Sequence, residues 1–271
     1  MLKKIRMIEN KKEFKLISKK NPKSLLPNAL TIFGVCLGLS SIKFAIDLNY
    51  SMAVVAICFA ALLDTLDGRV ARLIKGTSKV GKELDSLTDV ISFGVAPSFI
   101  MYFWAINELG KLGWMFVLIY TVCCALRLAR FNLTTTEETE SWKINFFEGV
   151  PSPAAAGLVM LPLILNLSGI IQFENKAIIC AAVILTTSLL MISKMPTYSF
   201  KKITIARSSG IFLLLGIGIY LSLVIFYTFK TLFFTGLVYI ILIPISYFHY
   251  KQKNNFFLKA MKEEEEAEDI L

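Results

Sequence analysis

Long apolar runs alternate with short polar segments along most of the chain. Eight runs approach the roughly 20 residues that a helix needs to cross a bilayer. No Gly/Ser-rich linker separates them, so one domain is expected. The pattern predicts an all-α, polytopic membrane helical bundle of about eight transmembrane helices, of which the fifth and sixth are short. The predicted spans are Leu25–Ile46, Met52–Asp67, Asp89–Ala105, Leu112–Phe131, Ala154–Leu167, Ala177–Ile192, Gly210–Phe229 and Leu232–Tyr250.

The composition supports a membrane protein. Hydrophobic residues make up 55% of the chain and charged residues 18%, whereas soluble domains are about a quarter charged. The five cysteines lie inside apolar runs without metal-ligand spacing, which indicates buried apolar residues and neither disulfides nor zinc ligands. His249 is the only histidine, so a mechanism that depends on an imidazole base is disfavoured.

The basic residues predict the orientation. With an internal amino terminus, 25 of the 29 Lys and Arg residues fall on one side of the eight spans. Because Lys and Arg concentrate on the cytoplasmic side, both termini are expected in the cytoplasm. The predicted parts are a basic cytoplasmic segment (1–24), a membrane domain (25–250) and a charged cytoplasmic tail (251–271). The basic segment either lies on an anionic membrane surface or is a solvated tail. Nucleic-acid binding is disfavoured, since the positive charge follows the loops.

Four aspartates at the edges of the second and third spans are the strongest functional signal. Asp64 and Asp67 are three residues apart, and Asp85 and Asp89 are four apart. Each pair therefore shares one helix face, and a helical hairpin would bring the two faces together at the cytoplasmic boundary. Ionisable residues at that depth are costly unless they are paired or bind a metal, so they usually have a function.

Four converging carboxylates repel one another unless cations neutralise them. Oxygen-only sites suit Mg²⁺ or Mn²⁺, and two such ions can clamp a phosphoryl displacement. Gly68 would let a ligand approach the backbone, and Arg72 could fork onto a phosphate. In the alternative interpretation the aspartates only terminate helices or favour a helix start. Two in-register pairs with Gly and Arg between them favour the functional interpretation.

The stretch from Asp64 to Asp89 reads D-x-x-D-G-x-x-A-R-x8-G-x3-D-x3-D, with eight fixed residues over 26 positions. It resembles the signature of the CDP-alcohol phosphatidyltransferase family. The resemblance implies that Asp64, Asp67 and Asp85 ligate a first divalent ion, Mg²⁺ or Mn²⁺. It implies that Asp64, Asp85 and Asp89 ligate a second, and that Asp89 is also the base that deprotonates the acceptor alcohol.

The same resemblance implies a set of residues that bind the CDP-lipid, and a lipid bilayer as the setting. Read alone, Asn28 or Thr31 is equally well explained as a helix cap. Members of the family are commonly homodimers, so the resemblance also implies a homodimer. The implied CDP-lipid-binding residues are Asn28, Thr31, Gly68, Arg72, Ser78 and Gly81.

Three further stretches, at 127–132, 147–153 and 190–201, resemble the serine-accepting branch of the family. They imply CDP-diacylglycerol and L-serine as substrates. Arg127 and Arg130 share a face and could clamp the serine carboxylate, with Asn132 beside them. In the alternative interpretation both arginines are anchors that snorkel to the membrane interface.

Two rival functions remain at this stage. The first is the same chemistry with glycerol 3-phosphate or inositol phosphate as acceptor, which would call for more basic residues near the site. The second is an ion-coupled transporter, in which acids are expected along several spans and helices are often broken. Here the acids cluster at one face, which favours the enzyme with its site facing the cytoplasm.

Overall fold

Helices account for most of the protein in the computed structural model, which describes residues 25–74, 79–134, 146–199 and 210–268. The two strands are short. The elements in chain order are α1 (Leu25–Ile46), α2 (Tyr50–Leu73), α3 (Lys79–Asp89), a π-helical segment (Val90–Val95), α4 (Ala96–Trp104), a 3₁₀ turn (Ile106–Leu109), α5 (Lys111–Thr134), β1 (Phe146–Glu148), α6 (Ser152–Val159), α7 (Leu161–Leu167), α8 (Lys176–Ile192), β2 (Pro196–Tyr198), α9 (Gly210–Phe226) and α10 (Thr228–Glu268).

The predicted all-α, multi-pass membrane architecture is confirmed. Within the described residues, five helical stretches are long and apolar enough to cross a membrane, and α8 and α9 are shorter apolar helices. The fifth predicted span divides into α6 and α7 at Met160, just before Pro162, which cannot donate a backbone hydrogen bond. The count of eight spans and the cytoplasmic termini stay predictions. The five long stretches are Leu25–Ile46, Tyr50–Leu73, Val80–Trp104, Lys111–Leu133 and Thr228–Asn255.

Helix α1 packs closely on α2 and on the π-helical segment, because small residues line its buried face. A Cβ atom at Gly38 would lie 2.6 Å from Ser92 Oγ and 3.0 Å from Ser92 Cα. The Ser92 hydroxyl in turn donates a hydrogen bond to the carbonyl oxygen of Gly34 at 3.2 Å. This close approach fixes α1 beside the helix that carries Asp85 and Asp89.

The π-helical segment directly follows Asp89 and leads into α4. Single π turns inside α-helices are rare and are frequent at functional sites. The hydroxyl of Tyr120, on α5 and fully buried, donates to the carbonyl oxygen of Phe93 at 3.1 Å. Ser98 donates to the carbonyl oxygen of Val95 at 2.7 Å. Side chains from two helices therefore satisfy carbonyl groups of the wider turn.

A two-stranded antiparallel sheet ties the start of α6 to the end of α8. Phe146 of β1 lies opposite Tyr198 of β2. Gly149 follows β1 with a φ of 72°, where a Cβ would lie 2.6 Å from the Met191 carbonyl oxygen, so the turn requires glycine. The Thr197 hydroxyl donates to the Gly149 carbonyl oxygen at 2.8 Å. The apolar-run pattern does not predict this sheet.

Candidate active site

Three of the predicted aspartates meet between α2 and α3. Asp64, Asp67 and Asp85 each offer a carboxylate oxygen, and these oxygens all lie within 4.8 Å of one another. All three residues lie inside their helices, since α2 continues to Leu73 and α3 begins at Lys79. The alternative in which these aspartates only begin or end helices therefore does not describe them.

The donor set of this cluster fits a hard divalent cation. Its ligand atoms are all carboxylate oxygens, which Mg²⁺ and Mn²⁺ prefer over nitrogen or sulfur. Asp67 is buried, with 4% of its surface exposed, and Asp64 and Asp85 are half-buried. Three anionic groups this close and this sheltered from water repel one another, and a divalent cation removes that repulsion.

Asp89 lies one helical turn beyond Asp85 and adds a fourth carboxylate to the cluster. Its carboxyl group is within hydrogen-bonding distance of that of Asp64 and within electrostatic range of Asp85. Its Oδ1 atom is buried and has no hydrogen-bond partner among the described residues. The structure thus brings all four predicted aspartates together, while their roles as ligands and base stay predictions.

Thr31 contacts this cluster from α1. Its buried hydroxyl lies 2.7 Å from Asp67 Oδ2, to which it donates, and 3.0 Å from the Pro27 carbonyl oxygen. Thr31 and Asn28 lie inside α1, which runs from Leu25, so neither caps its start. The family resemblance implies a contact between Thr31 and the CDP-lipid, and nothing in the sequence indicates the contact between Thr31 and Asp67. A hydroxyl bound to a ligand carboxylate orients that carboxylate.

The predicted CDP-lipid residues on α2 border open space. A Cβ atom at Gly68 would meet nothing within 4 Å, and Gly68 and Arg72 are both exposed. The Nε atom of Arg72 donates to the Gly68 carbonyl oxygen at 3.0 Å. Gly81 lies in α3, partly buried, and Ser78 falls outside the described residues. A ligand can therefore approach the backbone of α2 one residue beyond Asp67.

Arg127 lies on α5, and its side chain extends into the interior. It is 7% exposed, and its Nη1 atom donates to Ser152 Oγ at 2.7 Å. Its Nε atom is buried and lacks a partner within the part of the chain that the structure describes. The guanidinium is within electrostatic range of Asp89. A buried cation with an unused donor beside the carboxylates can bind an anionic group.

Arg130 makes different contacts from those of Arg127. Its Nη1 atom donates to the Ile192 carbonyl oxygen at 2.7 Å, and its Nη2 atom lies 3.3 Å from the Ser193 carbonyl oxygen and 3.5 Å from that of Glu148. Arg130 therefore joins α5 to the end of α8 and to β1. Asn132 donates to Ser86 Oγ at 2.9 Å and so links α5 to α3.

The chain is similar to a known protein family and to several curated proteins. The family model described as CDP-alcohol phosphatidyltransferase matches residues 24–189. Curated proteins named CDP-diacylglycerol–serine O-phosphatidyltransferase are similar to it. The one from Mycobacterium leprae is 34% identical over 224 residues, 82% of this chain and 74% of the relative. The one from Helicobacter pylori strain 26695 is 40% identical over 184 residues, 68% and 76%. The one from Bacillus subtilis is 34% identical over 177 residues, 65% and 92%.

Proposed function

The chain belongs to the CDP-alcohol phosphatidyltransferase family, and we propose that it transfers the phosphatidyl group of CDP-diacylglycerol to the hydroxyl group of L-serine. The products are phosphatidylserine and CMP. The observation that carries the proposal is the convergence of Asp64, Asp67 and Asp85 with Asp89 between α2 and α3. The names of the similar proteins support serine as the acceptor.

Four carboxylates supply the metal ligands in this proposal. Asp64, Asp67 and Asp85 would hold one Mg²⁺ or Mn²⁺ ion, and Asp64, Asp85 and Asp89 a second. When held by these carboxylates, two ions would supply positive charge that neutralises the pyrophosphate and the charge developing on the reacting oxygens. Thr31 keeps Asp67 turned toward the cluster through the hydrogen bond at 2.7 Å. Thr31 is a positioning residue in this proposal, and its predicted contact with the CDP-lipid stays a prediction.

The protein's own groups position the substrates and move one proton. Asp89, whose Oδ1 has no hydrogen-bond partner among the described residues, accepts the proton of the serine hydroxyl. The serine oxygen then bonds to the phosphorus that carries the diacylglycerol, the bond from that phosphorus to the bridging oxygen breaks, and CMP leaves with both electrons. Gly68 and Arg72 border the open face where the CDP group binds, with Asn28, Ser78 and Gly81 as further contacts. Phosphoryl transfer depends largely on such positioning and charge stabilisation.

The membrane setting suits a lipid donor. The acyl chains of CDP-diacylglycerol stay in the bilayer while the pyrophosphate reaches the aspartates at the end of the spans. We propose that this end faces the cytoplasm, because 25 of the 29 Lys and Arg residues fall on that side of the predicted topology. The family resemblance favours a homodimer as the assembly.

A product assay tests the proposed function. Detergent-purified protein is incubated with CDP-diacylglycerol, Mn²⁺ or Mg²⁺, and either L-serine, glycerol 3-phosphate or inositol phosphate, and the lipid product is identified by mass spectrometry. Phosphatidylserine is expected with serine only, and a chelator should abolish it. A different product lipid would replace serine as the acceptor. The absence of any transfer would overturn the enzymatic proposal.

Thr31→Val should weaken metal binding. The variant keeps the shape of the side chain but removes the hydroxyl that donates to Asp67, and loss of such an outer contact typically costs about 10- to 100-fold in metal affinity or activity. Two measurements check this: the Mn²⁺ concentration for half-maximal activity, and the Mn²⁺ dependence of the unfolding temperature. Thr31→Ser, which keeps the hydroxyl, should restore both.

A matched control for Thr31 lies on α2. The hydroxyl of Thr65 is exposed and bonds only to the Ala61 carbonyl oxygen of its own helix, so Thr65→Val should leave the Mn²⁺ response unchanged. If Thr31→Val also keeps a wild-type Mn²⁺ response, Thr31 does not position Asp67.

Arg127→Lys should raise the KM for serine about 10- to 100-fold and change the KM for CDP-diacylglycerol much less. Lys keeps the charge but cannot reproduce the guanidinium fork, and charge-assisted hydrogen bonds are worth roughly 1.5–3 kcal/mol. Arg130→Lys is the comparison. Because Arg130 bonds to the Ile192 carbonyl oxygen and its neighbours, its loss should lower the unfolding temperature and disturb both KM values together.

The two arginine variants separate three interpretations. Two anchors that snorkel would tolerate Lys at both positions. A serine-selective rise in KM for Arg130→Lys, with Arg127→Lys unchanged, would move the carboxylate contact to Arg130. A serine-selective rise for both would favour the two-arginine clamp that the sequence predicts.

A further inference from the structure

Among the described residues, three that carry a buried polar atom without a hydrogen-bond partner are connected through the charge of Arg127. The atoms are Asp89 Oδ1, Arg127 Nε and the hydroxyl of Tyr239, three of the five such buried side-chain atoms among the described residues. They come from three separate elements, since Asp89 ends α3, Arg127 lies on α5 and Tyr239 lies on α10. The Arg127 guanidinium is within electrostatic range of both Asp89 and Tyr239.

Buried polar atoms are rarely left without partners. Each unsatisfied donor or acceptor loses its bonds to water and gains nothing in return, so an orphan atom in a folded protein calls for a bound water, an ion or a ligand. The three atoms here differ in chemistry. Arg127 Nε and the Tyr239 hydroxyl can donate, and Asp89 Oδ1 in its ionised form can accept.

This combination matches a small hydroxy acid. In serine the hydroxyl group and the carboxylate are separated by only two carbon atoms, so a serine whose hydroxyl bonds to Asp89 presents its carboxylate nearby. Arg127 supplies a cationic donor for that carboxylate, and a phenol hydroxyl is a suitable second donor. One ligand would then satisfy all three orphan atoms.

We propose that Tyr239 is a specificity-determining residue whose hydroxyl donates to the carboxylate of the acceptor, beside Arg127. The inference rests on the proposed function and deepens it. Tyr239 lies beyond residue 189, where the match to the family model ends. The aspartates of the proposed transfer site lie inside the match. We therefore expect the matched region to carry the transfer reaction, and α10 to contribute to the choice of acceptor.

A bound water molecule is the alternative hydrogen-bond partner for the Tyr239 hydroxyl. The Thr197 side chain lies within hydrogen-bonding range of the Tyr239 hydroxyl, although its own hydroxyl donates to the Gly149 carbonyl oxygen. A cavity of about 10 Å³, large enough for about one water molecule, is lined by Thr197, Tyr198, Tyr239, Leu242 and Ile243. A water there could satisfy the tyrosine without any contact to substrate, and the experiment has to separate a water from a carboxylate.

Tyr239→Phe removes the hydroxyl and keeps the ring. We expect the KM for serine to rise about 10- to 100-fold, as for loss of a hydrogen bond to a charged group. The KM for CDP-diacylglycerol, the Mn²⁺ concentration for half-maximal activity and the unfolding temperature should stay close to those of the wild type. The matched control is Tyr247→Phe, because Tyr247 lies on the same helix with 39% of its surface exposed. It should leave all four quantities unchanged.

Each outcome decides a separate point. An unchanged serine KM in Tyr239→Phe, beside a wild type that makes phosphatidylserine, overturns this inference alone and assigns a water to the tyrosine. Equal rises in both KM values, with a lower unfolding temperature, assign Tyr239 a packing role and also overturn it. A wild type that makes no phosphatidylserine overturns the proposed function, and this inference with it.

Discussion

Asp89→Asn should lower the turnover number by about 10²–10⁴-fold, the usual cost of losing a general base. The amide has the same size as the carboxylate, but it cannot take a proton from the serine hydroxyl, and it is a poorer ligand for a cation. The Oδ1 atom of Asp89 is buried and has no hydrogen-bond partner among the residues that the structure describes. Substrate binding should be partly retained, because the three aspartates that share the first predicted ion are still present.

The measurement is the rate of CMP release with both KM values, for the wild type and the variant. Asp47→Asn is the matched control, since Asp47 is exposed and pairs with Lys43 at the end of α1. Exposed pairs contribute little, so this control should have wild-type kinetics. A near-normal turnover number for Asp89→Asn would remove Asp89 from the mechanism.

Asp64→Ala and Asp85→Ala should each abolish activity and also abolish the response to metal. The carboxylate oxygens of Asp64, Asp67 and Asp85 lie within 4.8 Å of one another. At that separation two unit charges repel by about 3 kcal/mol at an effective dielectric constant of about 20. Removing one charge relieves this repulsion, so the metal-free variants should unfold at a higher temperature than the metal-free wild type.

Added Mn²⁺ should reverse that order. A cation at 100 times its Kd stabilises the wild type by about 2.7 kcal/mol, whereas a variant without one ligand should gain far less. Unfolding temperatures measured with and without Mn²⁺ check this independently of turnover. The matched control is Glu83→Ala, an exposed acid on α3, two residues before Asp85. If Asp64→Ala or Asp85→Ala keeps a normal Mn²⁺ activation curve, the two-ion assignment is wrong.

The sequence is most informative where one periodic pattern determines the structure. The apolar run Leu25–Ile46 coincides with α1, because hydrocarbon requires every backbone polar group to be bonded within the helix. The positions of the aspartate pairs also follow from the periodicity of the helix. Spacings of three and four residues put each pair on one face, and the short segment between α2 and α3 leaves an antiparallel arrangement in which the faces meet.

Contacts between residues far apart in the chain are not encoded in such patterns. Thr31 and Asp67 are 36 residues apart, and nothing around Thr31 distinguishes a ligand of the nucleotide from a partner of Asp67. Arg127 and Arg130 have the spacing of a shared face, but Arg127 extends into the interior and Arg130 bonds to carbonyl groups of α8 and β1. Local spacing constrains the direction of a side chain, and its partner depends on the tertiary packing.

The π-helical segment between Asp89 and α4 lets the two ends of one transmembrane helix present their side chains in different directions. In a regular α-helix each residue advances by about 100°, so the angle of the carboxylates would fix the angle of every apolar residue below them. The wider π turn removes this constraint, because it changes the direction in which the following side chains point. The upper half can then aim Asp85 and Asp89 at α2, while the lower half independently buries Ile100 and Met101. Residues 90–95 should therefore tolerate conservative substitution better than a change of length. Deleting a single residue there would rotate the two halves by about 100° relative to each other and divide the carboxylate cluster without altering any of its members.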